Sequence, residues 1–511
     1  MFNIFCMKKL LIIGNAPLPN ESTKSRPAAG LRTYQFLKPF LGVSEIEISD
    51  KDHAFSAKKG PAYVVTLVTI AMPDCYEDAP GNKEIRHSDK FSEFQISKDD
   101  SNLLPTIQKI HDEFIPDAII SVNTYPSYIA SSLTSQAPLW CDLNGWIMTE
   151  AQAQAYKMNS NNYLAHYFQM ESAILKRADK ISTVSKAQAH AVTGELGFIG
   201  RLNGETFPYR FTHTIPNGTE FFDEEESIVE GNYHGDEAKT KEVSEKIEKI
   251  FDTVPGDTFV LLWMGGYNTW VDEITLFKSV EDSMEKCHKL YFVSTGGEIP
   301  GLDNETFIKF KKMIGESKYK DRFVFLGWVD TKDIPYIYLR SNAGLNVDRK
   351  CTETFTGARN RINEMMKFKV PVITTLGSEI SYEVARIDAG IAVESGKHEE
   401  LTSAIEKMYI DFSDHHGYKI KEYGQNGYEY IKKECNYETL LKPLIDWLEN
   451  PRQAPDRNID VSLKSKFSIR TIFTYIKKSG IKKFLRKALQ KTKSFVSKIA
   501  SKIKAKKQGK N

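Results

Sequence analysis

No stretch of this 511-residue chain reaches the roughly 18 consecutive apolar residues that a membrane-spanning helix requires, although 41% of its residues are hydrophobic. Cysteine is sparse. Cys6, Cys75, Cys141, Cys287, Cys351 and Cys435 are scattered without a C-x-x-C pair, which argues against a disulfide framework and for reduced thiols in a cytosolic protein. Metal-binding patterns are equally poor: the 11 histidines include one adjacent pair, His415-His416, and the single D-x-D is Asp50-Lys51-Asp52, remote from every other motif. Neither has the spacing of a metal site, and no metal is expected. No repeat of the 20–50-residue kind is present. Acidic residues are missing altogether from Ser462 to Asn511, where 17 Lys and Arg fall. The formal net charge of +2 therefore hides two unlike parts, because residues 1–461 hold 52 basic against 67 acidic residues, a balance of −15. The N-terminal MFNIFCMKKLLIIGNAP has too short an apolar run for a leader and no small-residue cleavage site after it. Lys8–Gly14 reads instead as the first buried strand, with Met7 an alternative start.

What is present is an alternation of short apolar runs with helix-length amphipathic segments. It is clearest from Thr258 to Thr375, through TFVLLWMGGYNTW, KLYFVSTGG, RFVFLGWVD, AGLNVDRK and VPVITT. Buried strands alternating with helices argue for βα units and a parallel sheet. Loops after the carboxyl ends of such strands face one crevice, where ligands bind. Those loops carry Gly265-Gly266, Gly296-Gly297 and Gly327-Trp328, which let a backbone approach a ligand closely, so this half is built to hold a nucleotide. The first half repeats the pattern with KKLLIIG, YVVTLVTIAM, DAIISV, PLWCDL and KISTVS. The expected architecture is α/β, with two doubly wound parallel-sheet domains facing a cleft. Their limits are 1–220 and 255–425, joined by a charged linker or insertion at 221–254. Residues 426–450 read as terminal helices and 451–461 as a linker with Pro451 and Pro455. Thr149–Arg177 reads as one long or broken helix. The basic tail is 462–511.

The order of ADKISTVSKAQAHAV, IPNGTE, FLGWV, INEMMKFKVPVITT and GSEIS resembles a GT-B glycosyltransferase of the large retaining family known as group 1 or family 4. The resemblance spans about 8–450, and it is the order and spacing of the pieces that carry it. It implies a nucleotide-sugar donor site on the second domain, an acceptor side on the first, and no catalytic metal. Glu364 then matches the helix glutamate that accepts hydrogen bonds from the ribose hydroxyls, as a carboxylate with two acceptor oxygens can; the alternative is a solvent-facing helix residue. The family's other glutamate, eight residues earlier, falls on Thr356, so Glu353 is the nearest carboxylate for that role. The usual basic pair after the first strand of the donor domain is absent from GGYNTWVDE. Arg359 and Arg361, beside Gly357 at the start of a helix, are the candidates for the pyrophosphate. Gly265, Gly266 and Asn268 in that loop, with Trp328 and Val329 in FLGWV, complete the donor set, while Trp270 is as easily core. On the acceptor side, Gly30 and Arg32 follow the first strand as the family's glycine-rich loop does. Asp142 and Asn144 lie just past a strand that should face the cleft, where relatives often have a histidine.

The reaction implied is transfer of a hexose or related sugar from a nucleotide diphosphate donor to a hydroxyl acceptor, with retention. No cofactor beyond the donor is expected. Bacterial cell-surface polysaccharide biosynthesis or lipid-linked glycan synthesis is the family's commonest setting. The rivals are a GT-B sugar-nucleotide epimerase or phosphorylase and a catalytically silent partner in a polysaccharide assembly complex. Nucleic acid is not an expected partner, since the tail has no interleaved base-stacking aromatics. From Ile481 onward Phe484, Leu485, Leu489, Phe495, Val496, Ile499 and Ile503 form one helical stripe opposite lysines and Arg486. That is the pattern of a helix lying on an anionic membrane surface, and it places the protein in the cytoplasm, peripherally on the inner face of the cell membrane. The alternative is a basic tail folding back on the acidic body.

Overall fold

The computed structural model describes residues 7–19, 21, 28–41, 63–221, 223–299 and 303–457, together with Ile476, Lys477, Ile481 and Arg486. Residues 1–457 form one compact unit and 458–511 another. The apolar stripe of the tail and Asp50-Lys51-Asp52 lie outside the described residues, apart from Ile481 and Arg486.

The larger unit is built on two sheets. The first contains β1 (Lys8–Ala16), β2 (Tyr63–Ala71), β3 (Lys83–Arg86), β4 (Phe91–Ser97), β5 (Ala118–Val122), β6 (Leu139–Leu143), β7 (Lys180–Thr183) and β8 (Thr212–Thr214), in the order β3-β4-β2-β1-β5-β6-β7-β8. All neighbours pair in parallel except β3 with β4. β5 and β6 are buried along their whole length, as is β1 from Leu10 onward. Helices cover both faces, so these strands carry no polar side. β3, whose sequence is KEIR, is the exposed edge, and its charges discourage pairing with another chain.

The second sheet contains β9 (Phe259–Trp263), β10 (Leu290–Thr295), β11 (Phe323–Gly327), β12 (Ala343–Asn346), β13 (Val372–Thr375) and β14 (Gly390–Val393), in the order β11-β10-β9-β12-β13-β14. Every pair is parallel. This is the doubly wound nucleotide-binding order, with its switch point between β9 and β12.

The segment expected as one long or broken helix is broken, into Ile147–Lys157 and Leu164–Arg177. Asn159 takes the left-handed conformation between them (φ 46°), which asparagine tolerates. The charged segment forms two helices, Asp223–Glu230 and Glu237–Ile250. At the C-terminal end, the Tyr418–Glu434 helix packs on the second sheet, with Ile431 in its core. The chain then recrosses, and Leu441, Leu444 and Leu448 pack with Ile12 and Trp140 in the core of the first. Residues 451–457 have neither helix nor strand, as their prolines suggest, yet they are fastened down. Ala454 donates its N–H to Asp179 (2.8 Å), and Asp456 makes a buried bidentate pair with Arg201 (2.8 and 2.9 Å).

Candidate functional site

The carboxyl end of β9 runs into Gly265 and Gly266. Gly265 has φ +92° and donates its N–H to Thr295 Oγ1 at the end of β10 (3.0 Å). A Cβ on Gly296 would lie 2.5 Å from the Gly265 carbonyl carbon, so these neighbouring loops meet only because position 296 is glycine, while Gly265 is suited to its positive φ. Gly296 in turn donates to the Gly327 carbonyl (2.6 Å). Three βα loops are thereby tied into one floor. Trp328 stands above it 59% exposed, Val329 packs into the core beside it, and Asn268 is half-buried.

Facing this floor is the short helix Asn360–Lys367, which follows the helical turn Thr352–Thr356. Its faces do different things. Arg361 stacks 4.1 Å over the ring of Trp263 and donates from Nη2 to the Gly266 carbonyl (3.0 Å). Its Nη1 is buried without a hydrogen-bond partner, and burial pulls its pKa down. Arg361 as a whole is half-buried, and its guanidinium has no bonded carboxylate to balance it. Glu364, one turn along the same face, is half-buried and accepts from Thr219 Oγ1 (3.0 Å). Gly265, Gly266, Arg361 and Glu364 are therefore brought together at the switch point.

Arg359 and Glu353 are corrected by the structure. Arg359, 6% exposed, donates to Asp348 (2.6 Å) and bidentately to Glu353 (3.1 and 2.7 Å). Both carboxylates hold it charged. Glu353 is itself only 8% exposed, and burial raises its pKa against the pull of Arg359. Arg359 is thus neutralised within the protein, and Glu353 has its oxygens committed to it. A Cβ on Gly357 would fall 2.5 Å from Glu353 Oε1, so the glycine makes room for this triad.

Arg32 and Asp142 are corrected too. They form a buried bidentate pair at 2.7 and 2.9 Å. Arg32 also donates to the carbonyls of Ile215 and Pro216 (2.7 and 2.9 Å), and Asp142 accepts from Ser182 (2.7 Å). Neither is open to a ligand. Together they pin the segment that leaves the first sheet for the second. Gly30 is required sterically, because its Cβ would sit 1.8 Å from the Pro17 carbonyl oxygen. Asn144 donates to Asn123 (3.1 Å) and is half-exposed.

Sequence reasoning missed the contacts that join the sheets. Ser185 Oγ donates to the Thr356 carbonyl (2.5 Å), and Glu379 accepts from the Ala187 N–H (3.0 Å) at the start of the Lys186–Phe198 helix. Ser185 announced itself as a helix cap in STVSKAQ; its partner across the cleft left no local signal.

Residues 258–411 match the family described as glycosyl transferases group 1. No curated protein matches by sequence. Among solved structures, sucrose-phosphate synthase from Thermosynechococcus elongatus is similar with TM-score 0.57 at 14% identity, over 86% of this chain and 98% of that one. Anabaena Alr3699/HepE in complex with UDP-glucose gives 0.55 at 13%, over 86% and 99%. WaaG, a glycosyltransferase involved in lipopolysaccharide biosynthesis, gives 0.54 at 12%, over 86% and 100%. The second sheet and every residue named above for the donor side lie inside the matched segment, and the larger unit has the two-sheet GT-B fold of these solved structures.

Proposed function

We propose that the protein transfers a hexosyl group from a nucleotide diphosphate sugar to a hydroxyl acceptor, with retention at the anomeric carbon. The observation that carries this reading is Arg361, a half-buried cation with a buried, unsatisfied nitrogen at the end of β9, beside the glycines of that loop. In this role it stabilises charge on the departing diphosphate, worth most in a site shielded from water. Glu364 accepts from the ribose hydroxyls, exchanging its bond to Thr219. Reaction on the donor's front face, with the leaving phosphate taking the acceptor proton, needs no side chain as general base. The likeness to HepE with UDP-glucose supports a uridine donor. That to WaaG supports bacterial surface glycan or lipid-linked glycan synthesis, with the basic tail on an anionic membrane.

Titration calorimetry with UDP tests the reading. Wild-type protein should bind, Arg361→Ala should weaken binding by about 10- to 100-fold, as loss of a charge-assisted contact of roughly 1–3 kcal/mol implies, and Glu364→Gln should weaken it less. Wild-type affinity in Arg361→Ala would remove the assignment. One observation favours a second reading: the commitment of Glu353 to Arg359, with Thr356 in the place of the usual glutamate, leaves that position without a free carboxylate for the sugar. A silent GT-B partner would show no hydrolysis of any nucleotide sugar in a panel.

A further inference from the structure

Glu150 lies in the first turn of the Ile147–Lys157 helix, directly after the loop that leaves β6. Its side chain is open to solvent, yet protein crowds it from both sheets. The Thr352–Thr356 turn of the second half packs against its helix, and crowding together with the charge of Glu353 pushes its pKa up to about 7. A group that is accessible and still crowded lines a cleft. The charged and titratable groups facing it are Glu353 from the second half and Tyr167 and Glu171 from the Leu164–Arg177 helix. Arg359 sits behind Glu353 and is taken up by it. None of these supplies Glu150 with a bond: among the described residues no N–H, O–H or cation meets its carboxylate. Behind it Glu171 is 3% exposed with neither oxygen partnered.

An accessible carboxylate that takes no bond from the protein is free to accept from a ligand hydroxyl in place of water. A metal ion fits poorly, since no group of three His, Cys, Asp or Glu among the described residues is placed to hold one. A sugar fits well. Its hydroxyls are donors, and the ring of Tyr167, with Tyr163 next to it, offers the aromatic surface on which a pyranose packs. We infer that Glu150 is the acceptor-binding carboxylate of the first half, accepting a hydrogen bond from a hydroxyl of a hexose-bearing acceptor. This inference rests on the donor reading above and adds to it the acceptor side, which Asp142 does not supply.

The test measures UDP release from UDP-glucose with and without free glucose, galactose, mannose or N-acetylglucosamine at millimolar concentration. In wild type a hexose should raise UDP release. In Glu150→Gln the KM for that hexose should rise about tenfold, with UDP affinity unchanged, which also shows that the variant is folded. Glu150→Asp should recover part of the loss. The wild-type hexose KM should fall as pH rises through about 7, where the carboxyl ionises, and the Gln variant should lose that dependence. An unchanged hexose KM in Glu150→Gln, or no hexose effect in a wild type that binds UDP, would overturn the inference alone. Failure of wild type to bind UDP would overturn the donor reading as well.

Discussion

Two arginines two residues apart, Arg359 and Arg361, have opposite fates, and the difference is the presence of carboxylates. Arg359 is buried with two of them and belongs to the architecture; Arg361 is half-buried with none bonded to it. Removing Arg359 leaves Glu353 and Asp348 as uncompensated buried charges, which costs on the order of 3–5 kcal/mol. Arg359→Ala should therefore appear first as a lower melting temperature in calorimetry, while Arg361→Ala should melt near wild type and lose UDP. The opposite pattern would exchange their roles. Glu171 makes a second residue-scale case. Its neighbour is Glu195, a half-buried carboxylate that accepts from Trp146 Nε1 (3.2 Å). Burial and the Glu195 charge raise its pKa well above the ordinary range. The folded state thus binds a proton that the unfolded chain releases above about pH 4.5. The stability contributed by protonated Glu171 is present at lower pH and is lost as pH rises through its folded value. Glu171→Gln, which mimics the protonated form, should gain over wild type as pH rises, by about 2 °C or more in melting temperature at pH 8. An equal shift at pH 5 and pH 8 would contradict this.

Elements in this molecule serve more than one neighbour. The Asn360–Lys367 helix sets Arg361 and Glu364 toward the β9 loop, while Asn363 donates to the Asn217 carbonyl (2.9 Å) and Asn360 accepts from Asn217 (2.5 Å). The glycine-loop floor and the interdomain crossing are therefore bonded to one short helix. The tail is the element for which pattern alone speaks. Each basic residue near an anionic surface contributes about 1 kcal/mol, so full-length protein should co-sediment with anionic vesicles, and a chain ending at Asp460 should not. Equal partitioning of the two, or binding that ignores salt and lipid charge, would sink the membrane proposal.

For the whole molecule, the salient feature is how the halves meet. The chain crosses between them twice, and the crossings are bonded to each other through Thr219 N–H and the Cys435 carbonyl (3.0 Å). Away from that hinge, Ser185 and Glu379 bridge the sheets. Glu379→Ala removes an acceptor from a helix N-terminus, worth roughly 1 kcal/mol. It should therefore broaden the distance distribution in small-angle scattering without changing UDP affinity. An unaltered distribution would mean that the hinge alone holds the arrangement.

Much of this architecture was legible before any coordinates, for a local reason. β1, β2, β5, β6, β7, β9, β10, β12 and β13 are almost wholly buried, so burial writes them into the chain as apolar runs, and β11, though a half-exposed edge strand, carries the same apolar run in FVFLG. β3, β8 and β14 show no run because they are edge or near-edge strands of three or four residues, and β4 shows none because it alternates apolar with polar residues in FSEFQIS. The glycines of the β9, β10 and β11 loops, and Glu364 and Arg361, were readable because position after a strand or on a helix is a local property. Which charges meet is not. Arg32 and Asp142 stand 110 residues apart, and nothing near either shows that each neutralises the other. Even Arg359 and Glu353, six residues apart, pair only because the chain turns at Gly357. The sequence by itself therefore determined the buried strands and their alternation with helices. Only the tertiary structure decided which four of the six charged candidates are neutralised within the protein, because an ion pair depends on where two side chains end up in space.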